Sequence, residues 1–252
     1  MSKLEGTAFA EQAHLALLSI YERSRDWAKA TDIAHKLNAS GHGSFQGRLA
    51  HYLCEQAEST DTPQDHASKI RLLQQAIDTA PHAARAPLAM AKVLSESGQS
   101  QAAYDTLKRL AQSAPTAVPL LAPRLSVLAQ ELNCIDDALL FLEHLYQQTA
   151  SLDVLQAIVS LRTAKGEIDT SAWFGKHLER EPSLVAATQW IANEKFEHQQ
   201  FHPQVLRALE RAAKPLQRYR CAACGFEATQ HFWQCPGCQA WDSYPPKRIE
   251  EL

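Results

Sequence analysis

Residues 91–115 read AKVLSESGQSQAAYDTLKRLAQSAP, and their spacing decides the fold. Ala91 and Leu94 lie on one helical face, and Ala103, Leu107 and Leu110 lie on another. Between them falls Gly98, where a tight turn needs a backbone free to take left-handed angles. Pro115 follows where a new helix can begin. The stretch predicts two antiparallel helices that approach closely at small residues and fill the flanking space with leucine.

The same rhythm recurs on both sides. An earlier unit carries Leu18, Tyr21, Trp27, Ala30, Ala34 and Leu37, and a second, over residues 44–81, carries Ala50, Leu53, Leu73, Ala76 and Pro81. The polar stretch from Glu58 to Asp65, with Pro63, predicts a longer loop inside that second unit. A fourth unit has Ala129, Asn133, Ala138, Leu142 and Leu145; a fifth has Leu161, Gly166, Trp173 and Leu178 and ends at Pro182. Ala30, Ala103, Ala138 and Ala172 keep step with a period of about 34 residues, the tetratricopeptide length. Glycine, proline and small residues at matching phases favour this repeat over a generic helical bundle. The expectation is an all-α tetratricopeptide solenoid of about five units over residues 1–182, with a concave surface suited to a peptide or protein. Helices over 183–198 and 203–213 then cap it, Pro215 stops the second, and residues 216–252 form a separate ribbon.

Composition suits a soluble protein with a sizeable core: 252 residues, 45% apolar, 21% charged. A formal net charge of -3 supplies no global attraction to nucleic acid or anionic membrane. No run of about 20 apolar residues predicts a membrane span, and the opening Met1-Ser-Lys-Leu-Glu-Gly6 lacks the form of a secretory signal. Four of the six cysteines sit in two tight pairs, the pattern of thiolate ligands in a reducing, cytoplasmic compartment.

Those pairs lie in residues 221–244, CAACGFEATQHFWQCPGCQAWDSY. Cys221 and Cys224 form one Cys-x-x-Cys turn, and Cys235 and Cys238 form another, ten residues further on. Each turn can place two sulfurs about 3.5–4 Å apart, as a tetrahedral ion with Zn–S near 2.3 Å requires. Gly225 and Gly237 suit turns whose backbone amides point at sulfur. The segment is too short to fold on apolar burial, so metal supplies much of its stability. Phe226, Phe232, Trp233, Trp241 and Tyr244 are expected to form its small core. Zinc is the expected ion, with iron, also at home among four sulfurs, the alternative. Four protein ligands leave no position for a reacting water, so the site reads as structural.

Elsewhere, chemistry is hard to find. No metalloprotease, phosphate-loop or nucleophile-elbow motif occurs, and the chain does not read as an enzyme. Gly41-His42-Gly43-Ser44 reads as an inter-repeat loop, His231 as no ligand, and His198 and His202 as solvated. Cys54 and Cys134 read as small core residues, and Trp27 and Trp173 as packing. Arg211, Lys214, Arg218, Arg220, Lys247 and Arg248 form a basic run that reads as a solvated face, with an RNA-binding ribbon the minor alternative.

A helical array closed by a rubredoxin-like ribbon resembles the lipopolysaccharide assembly protein B family. The residues that carry this are Tyr219-Arg-Cys-x-x-Cys-Gly-Phe226, Trp233-x-Cys-Pro-x-Cys-x-Ala-Trp241, Leu18-Ser-Ile-Tyr21 leading to Asp26-Trp27-x-Lys-Ala30, and Ala50-His-Tyr-x-Cys54. The resemblance implies an adaptor on the cytoplasmic face of the Gram-negative inner membrane. It would present the deacetylase that commits carbon to lipid A to the FtsH membrane protease, and would work beside other lipopolysaccharide assembly proteins. It also implies a membrane-spanning helix and further repeats ahead of the part seen here. The chain therefore reads as starting inside the family's array, soluble by itself, with membrane attachment only through the missing anchor.

Overall fold

A computed structural model describes residues 8–39, 44–59, 65–167, 169–194 and 200–252, and twelve α-helices occur among them. By chain contacts the protein divides into two compact units, Met1–Ala114 and Pro115–Leu252.

The first unit holds three helical hairpins: α1 (Ala8–Ser24) with α2 (Trp27–Ala39), α3 (Gln46–Glu58) with α4 (His66–Thr79), and α5 (Arg85–Glu96) with α6 (Ser100–Ser113). Each hairpin packs on the next, and α3 also touches α5, the first helix of one pair against the first helix of its neighbour. Close approach is possible because Ala30, Ala34, Ala76, Ala91 and Ala103 stand fully buried at the crossings. Leu18, Leu37, Leu49, Leu73 and Leu107 fill the space beside them.

Polar links fix the stacking. The Tyr52 ring stacks on Trp27 at 5.8 Å, and its hydroxyl donates to Glu22 at 2.5 Å. Gln56 donates to the Trp27 carbonyl and to Thr31, which ties α3 to the first hairpin. Buried Arg85 donates to Glu55 at 2.7 Å and Glu58 at 3.2 Å, tying the second hairpin to the third. Cys54 is fully buried, and that burial pushes its thiol up to about 12. It is core, as read from the sequence.

In the second unit, α7 (Val118–Glu131) pairs with α8 (Ile135–Gln148), α9 (Leu152–Ala164) with α10 (Ser171–Arg180), and α11 (Leu184–Asn193) with α12 (His202–Ala213). Helix α9 packs on both α7 and α8 around Leu121, Leu125, Leu142, Leu155 and Ile158. Tyr146 and His177, both buried, share a 2.7 Å hydrogen bond that joins α8 to α10. Trp173 is only half-buried, with the Arg162 guanidinium 4.6 Å and the Lys176 ammonium 5.1 Å from its ring.

Four hairpin turns are copies of one another. Arg25, Gly98, Asn133 and Gly166 all have positive φ, of 54°, 80°, 53° and 91°. In each, the next residue's amide reaches back five residues: Asp26 to Tyr21, Gln99 to Leu94, Cys134 to Ala129 and Glu167 to Arg162, at 2.8–3.0 Å. This is the Schellman closure, which satisfies the last carbonyls of the first helix while reversing the chain.

Several expectations need correction. The helix expected over 183–198 is α11 and ends at Asn193, after which Glu194 is extended. The end of α12 is as expected: the helix stops at Ala213, and Pro215 lies in the 3-10 turn Lys214–Gln217 that follows. Cys134 is half-exposed and stands at the N-cap position of α8, without a side-chain capping bond, instead of sitting in the core. His202 is not simply solvated, since its Nε2 lies 2.9 Å from the Ile191 carbonyl. Gly41–Gly43, most of the loop from Glu58 to Asp65 with Pro63, and His198 lie outside the described residues.

Nothing stands within 4 Å of a Cβ built on Gly98 or Gly166, so only backbone strain opposes a side chain there. Gly98→Ala and Gly166→Ala should each destabilise the protein by about 1 kcal/mol, the cost of a left-handed alanine. Arg25→Gly, at the same point of another hairpin, should be neutral or stabilising. Urea titration followed by circular dichroism measures all three; equal effects at the three positions would refute the shared turn.

Candidate metal centre

After the 3-10 turn, β1 (Tyr219–Arg220) runs into the first cysteine turn and β2 (Glu227–Ala228) returns antiparallel to it, with Tyr219 opposite Ala228. The second turn is closed by a bridge between Gln234 and Trp241. The two turns repeat the same backbone bonds. Cys221 donates its amide to the Phe226 carbonyl and receives Gly225; Cys235 donates to Ala240 and receives Gln239, all at 2.8–2.9 Å. The fifth residue of each turn is left-handed: Gly225 at 79° and Gln239 at 61°. Gly237, whose amide points at the Cys235 sulfur as expected, also serves for clearance. A Cβ there would come within 3.2 Å of the Phe226 ring, which lies against the second turn.

The four cysteines named from the sequence come together, with all four sulfurs within 4.8 Å of one another. Cys221 and Cys238 are 3.8 Å apart, Cys224 and Cys235 3.7 Å. A tetrahedron with 2.3 Å bonds has edges of about 3.8 Å, so the cluster fits one four-coordinate ion. The first cysteine of each pair is buried and the second exposed.

Electrostatics point the same way. Burial opposes the Cys221 thiolate, but Ser243 and the amides of Cys224 and Ala223 outweigh it and bring the thiol down to about 6. Cys235 is likewise lowered against burial by the amides of Cys238 and Gly237. Cys224 accepts the Phe226 amide, yet burial and three neighbouring sulfurs win and push its thiol up to about 12. Part of the cluster favours the thiolate and part resists ionising beside it, the behaviour of sulfurs suited to share one cation.

The ribbon core differs from expectation. Tyr219, Cys221, Cys235 and Tyr244 are its buried members, with Phe232, Ala228 and Leu120 of α7 packed against them. Phe226 is 44% exposed. His231 is not among the clustered ligands; its Nε2 lies 3.1 Å from the Tyr244 carbonyl, and its ring meets Trp233 edge-on at 4.6 Å. Burial pushes it below the usual histidine range, so it sits neutral between aromatic rings.

The basic run does not form a single patch. Arg220 bonds Glu227 at 2.9 Å with Arg218 3.7 Å from the same carboxylate. Arg248 grips buried Asp153, at the start of α9, through two bonds of 2.8 and 3.0 Å. Sequence reasoning missed the residues after Arg248 altogether. Glu250 accepts the amides of Leu184 and Val185 and the Ser183 hydroxyl at the start of α11. Glu251 accepts the Leu152 amide of α9 at 2.8 Å. The ribbon is thus bound through its tail to two helix N-termini.

Residues 219–246 match the family described as the rubredoxin metal binding domain. The chain is 28% identical over 249 residues to lipopolysaccharide assembly protein B of Haemophilus influenzae, covering 96% of this chain and 63% of that protein. It is 26% identical over 250 residues to the protein of the same name from Escherichia coli K12, covering 96% and 64%. The chain therefore spans somewhat under two thirds of these relatives, and the resemblance drawn from its motifs holds along nearly its whole length. Among solved structures, a tetratricopeptide repeat protein from Parabacteroides merdae aligns with 81% of this chain and 76% of its own at 10% identity, with a TM-score of 0.45.

Cys221→Ser or Cys235→Ser should abolish metal retention, since a serine hydroxyl is a poor ligand for a thiolate-selective ion. Metal per chain, measured by plasma mass spectrometry after gel filtration, should fall from one to near none. Full retention by either variant would refute the four-sulfur site.

Proposed function

We propose that this chain is a non-enzymatic adaptor in lipopolysaccharide assembly, with Cys221, Cys224, Cys235 and Cys238 holding one structural zinc ion. The observation that carries the reading is a closed four-sulfur ribbon seated on paired helices in a chain similar, over 96% of its length, to proteins named for that assembly. Four cysteines saturate a tetrahedral ion, and no coordination position is left to activate water or bind substrate. When bound, the ion supplies cross-linking of two loops and nothing else. The peptide-sized faces of the helical hairpins supply the binding surface, as stacked repeats do.

In this role the chain presents the lipid A-committing deacetylase to the FtsH protease at the cytoplasmic face of the inner membrane, and so restrains lipopolysaccharide synthesis. Other lipopolysaccharide assembly proteins are further partners. Among the described residues no helix is long and apolar enough to cross a membrane. The commitment of Arg248 to Asp153 and of Arg220 to Glu227 weighs against an RNA-binding ribbon.

Degradation of the deacetylase by FtsH in proteoliposomes tests the reading. Added chain should raise the degradation rate, and Cys221→Ser should not. No acceleration by wild-type chain, together with no co-purification of protease or deacetylase, would refute it. Zinc gives a colourless protein; a red one with an iron–thiolate spectrum would replace the adaptor with an electron carrier.

A further inference from the structure

Beyond that reading, the ribbon's tail makes a set of contacts out of proportion to its length. Arg248 lies with its guanidinium 4.2 Å from the centre of the Tyr219 ring, and Tyr219 is two residues ahead of Cys221. Its Nη1 donates to the Gln217 carbonyl at 2.8 Å, and the amide of Ile249 donates to the Arg218 carbonyl at 2.7 Å. The strand entering the first cysteine turn is therefore also the platform on which the tail rests.

From that platform the tail reaches the first turns of two helices. Arg248 holds Asp153, which is 3% exposed and has its carboxylate in the first turn of α9. Glu251 takes the Leu152 amide, and Ser151 at the N-cap of α9 makes no capping bond of its own. Glu250 takes the Leu184 and Val185 amides, while Ser183 caps only Ala186. The opening donors of α9 and α11 thus depend on carboxylates about a hundred and about seventy residues away in sequence, groups a helix otherwise finds locally. A carboxylate at that position also meets the positive end of the helix dipole.

The platform has little stability of its own. Its strands are two residues each, paired only with one another, and its buried core is two tyrosines and two of the clustered cysteines. A hairpin of that size does not hold without support.

We infer that residues 248–251 are a latch coupling metal occupancy to the first turns of α9 and α11: metal loss uncaps both helices, and loss of the latch weakens metal binding. At equilibrium the two directions are one coupling free energy: the factor by which latch loss weakens zinc affinity equals the factor by which zinc loss opens the latch. The inference rests on the four-sulfur site holding a metal, and the test separates the two. It needs no knowledge of a partner.

The full chain is loaded with zinc, and competition with a chromogenic chelator gives the zinc affinity; hydrogen exchange is read before and after. Exchange at the amides of residues 152–155 and 184–186 should rise about tenfold when the metal leaves, and latch variants should bind zinc about tenfold more weakly, inside the usual span of coupling. Exchange in α5 and α6 should stay unchanged. Arg248→Met alone strands the Asp153 charge, so the double variant Asp153→Asn with Arg248→Met removes the pair together, and Glu250→Gln with Glu251→Gln weakens the caps. Unchanged exchange in α9 and α11 after chelation would overturn the latch, as would wild-type zinc affinity in the double variant. A wild-type chain that takes up no zinc removes the metal site, and the latch with it.

Discussion

Four sulfurs held within 4.8 Å of one another are an unstable arrangement without a cation. Ionised, they repel; protonated, they offer weak hydrogen bonds and little apolar area. The backbone accepts this cost in advance, aiming the amides of Ala223 and Cys224 at one sulfur and those of Gly237 and Cys238 at another. It also holds Gly225 and Gln239 in left-handed conformations so that each turn closes. An ion that bonds all four sulfurs repays the arrangement, and because the segment has so small a core, its folding and its metal binding become one event. Everything that rests on the ribbon inherits that dependence.

What rests on it is held mainly by directional polar contacts. Leu120 of α7 is the apolar seat, and beyond it the link runs through the Arg248–Asp153 pair and the carboxylates of Glu250 and Glu251. Burial works against the Glu251 carboxylate and pushes it above the usual range, even as the Leu152 and Arg248 amides favour its charge. A greasy patch would tolerate sliding. A bidentate guanidinium, a stacked tyrosine and two capped helices accept one register only.

The repeats were legible because their constraints are local. A chain reversal between two helices needs a residue that tolerates positive φ, and Gly98, Asn133 and Gly166 announce it at regular intervals. Arg25 occupies the same place without the signature, since an arginine can be forced there by its neighbours at a modest cost. The metal ligands were legible for a similar reason: two short Cys-x-x-Cys turns carry their geometry in their spacing. Helix ends were less so, and α11 stops short of the stretch whose pattern continues. The ribbon core was half legible. Phe226 looks like core by type but lies outward against Gly237, while Tyr219, not among the residues expected in the core, is buried. The tail was not legible at all, because Arg248, Glu250 and Glu251 are the residue types of any solvated terminus. Only the fold brings Asp153 and the bare amides of Leu152 and Leu184 to meet them.

That contrast bears on how the molecule is built. Helical hairpins take their stability from the leucines and alanines between them. A buried ion pair such as Arg248 with Asp153 adds little net stability over an apolar pair of the same shape, because both ions surrender their hydration. Its contribution lies in penalising every other placement of the ribbon, each of which would leave a charge buried alone. A metal held by the four sulfurs would make the ribbon rigid, and the tail makes its position unique.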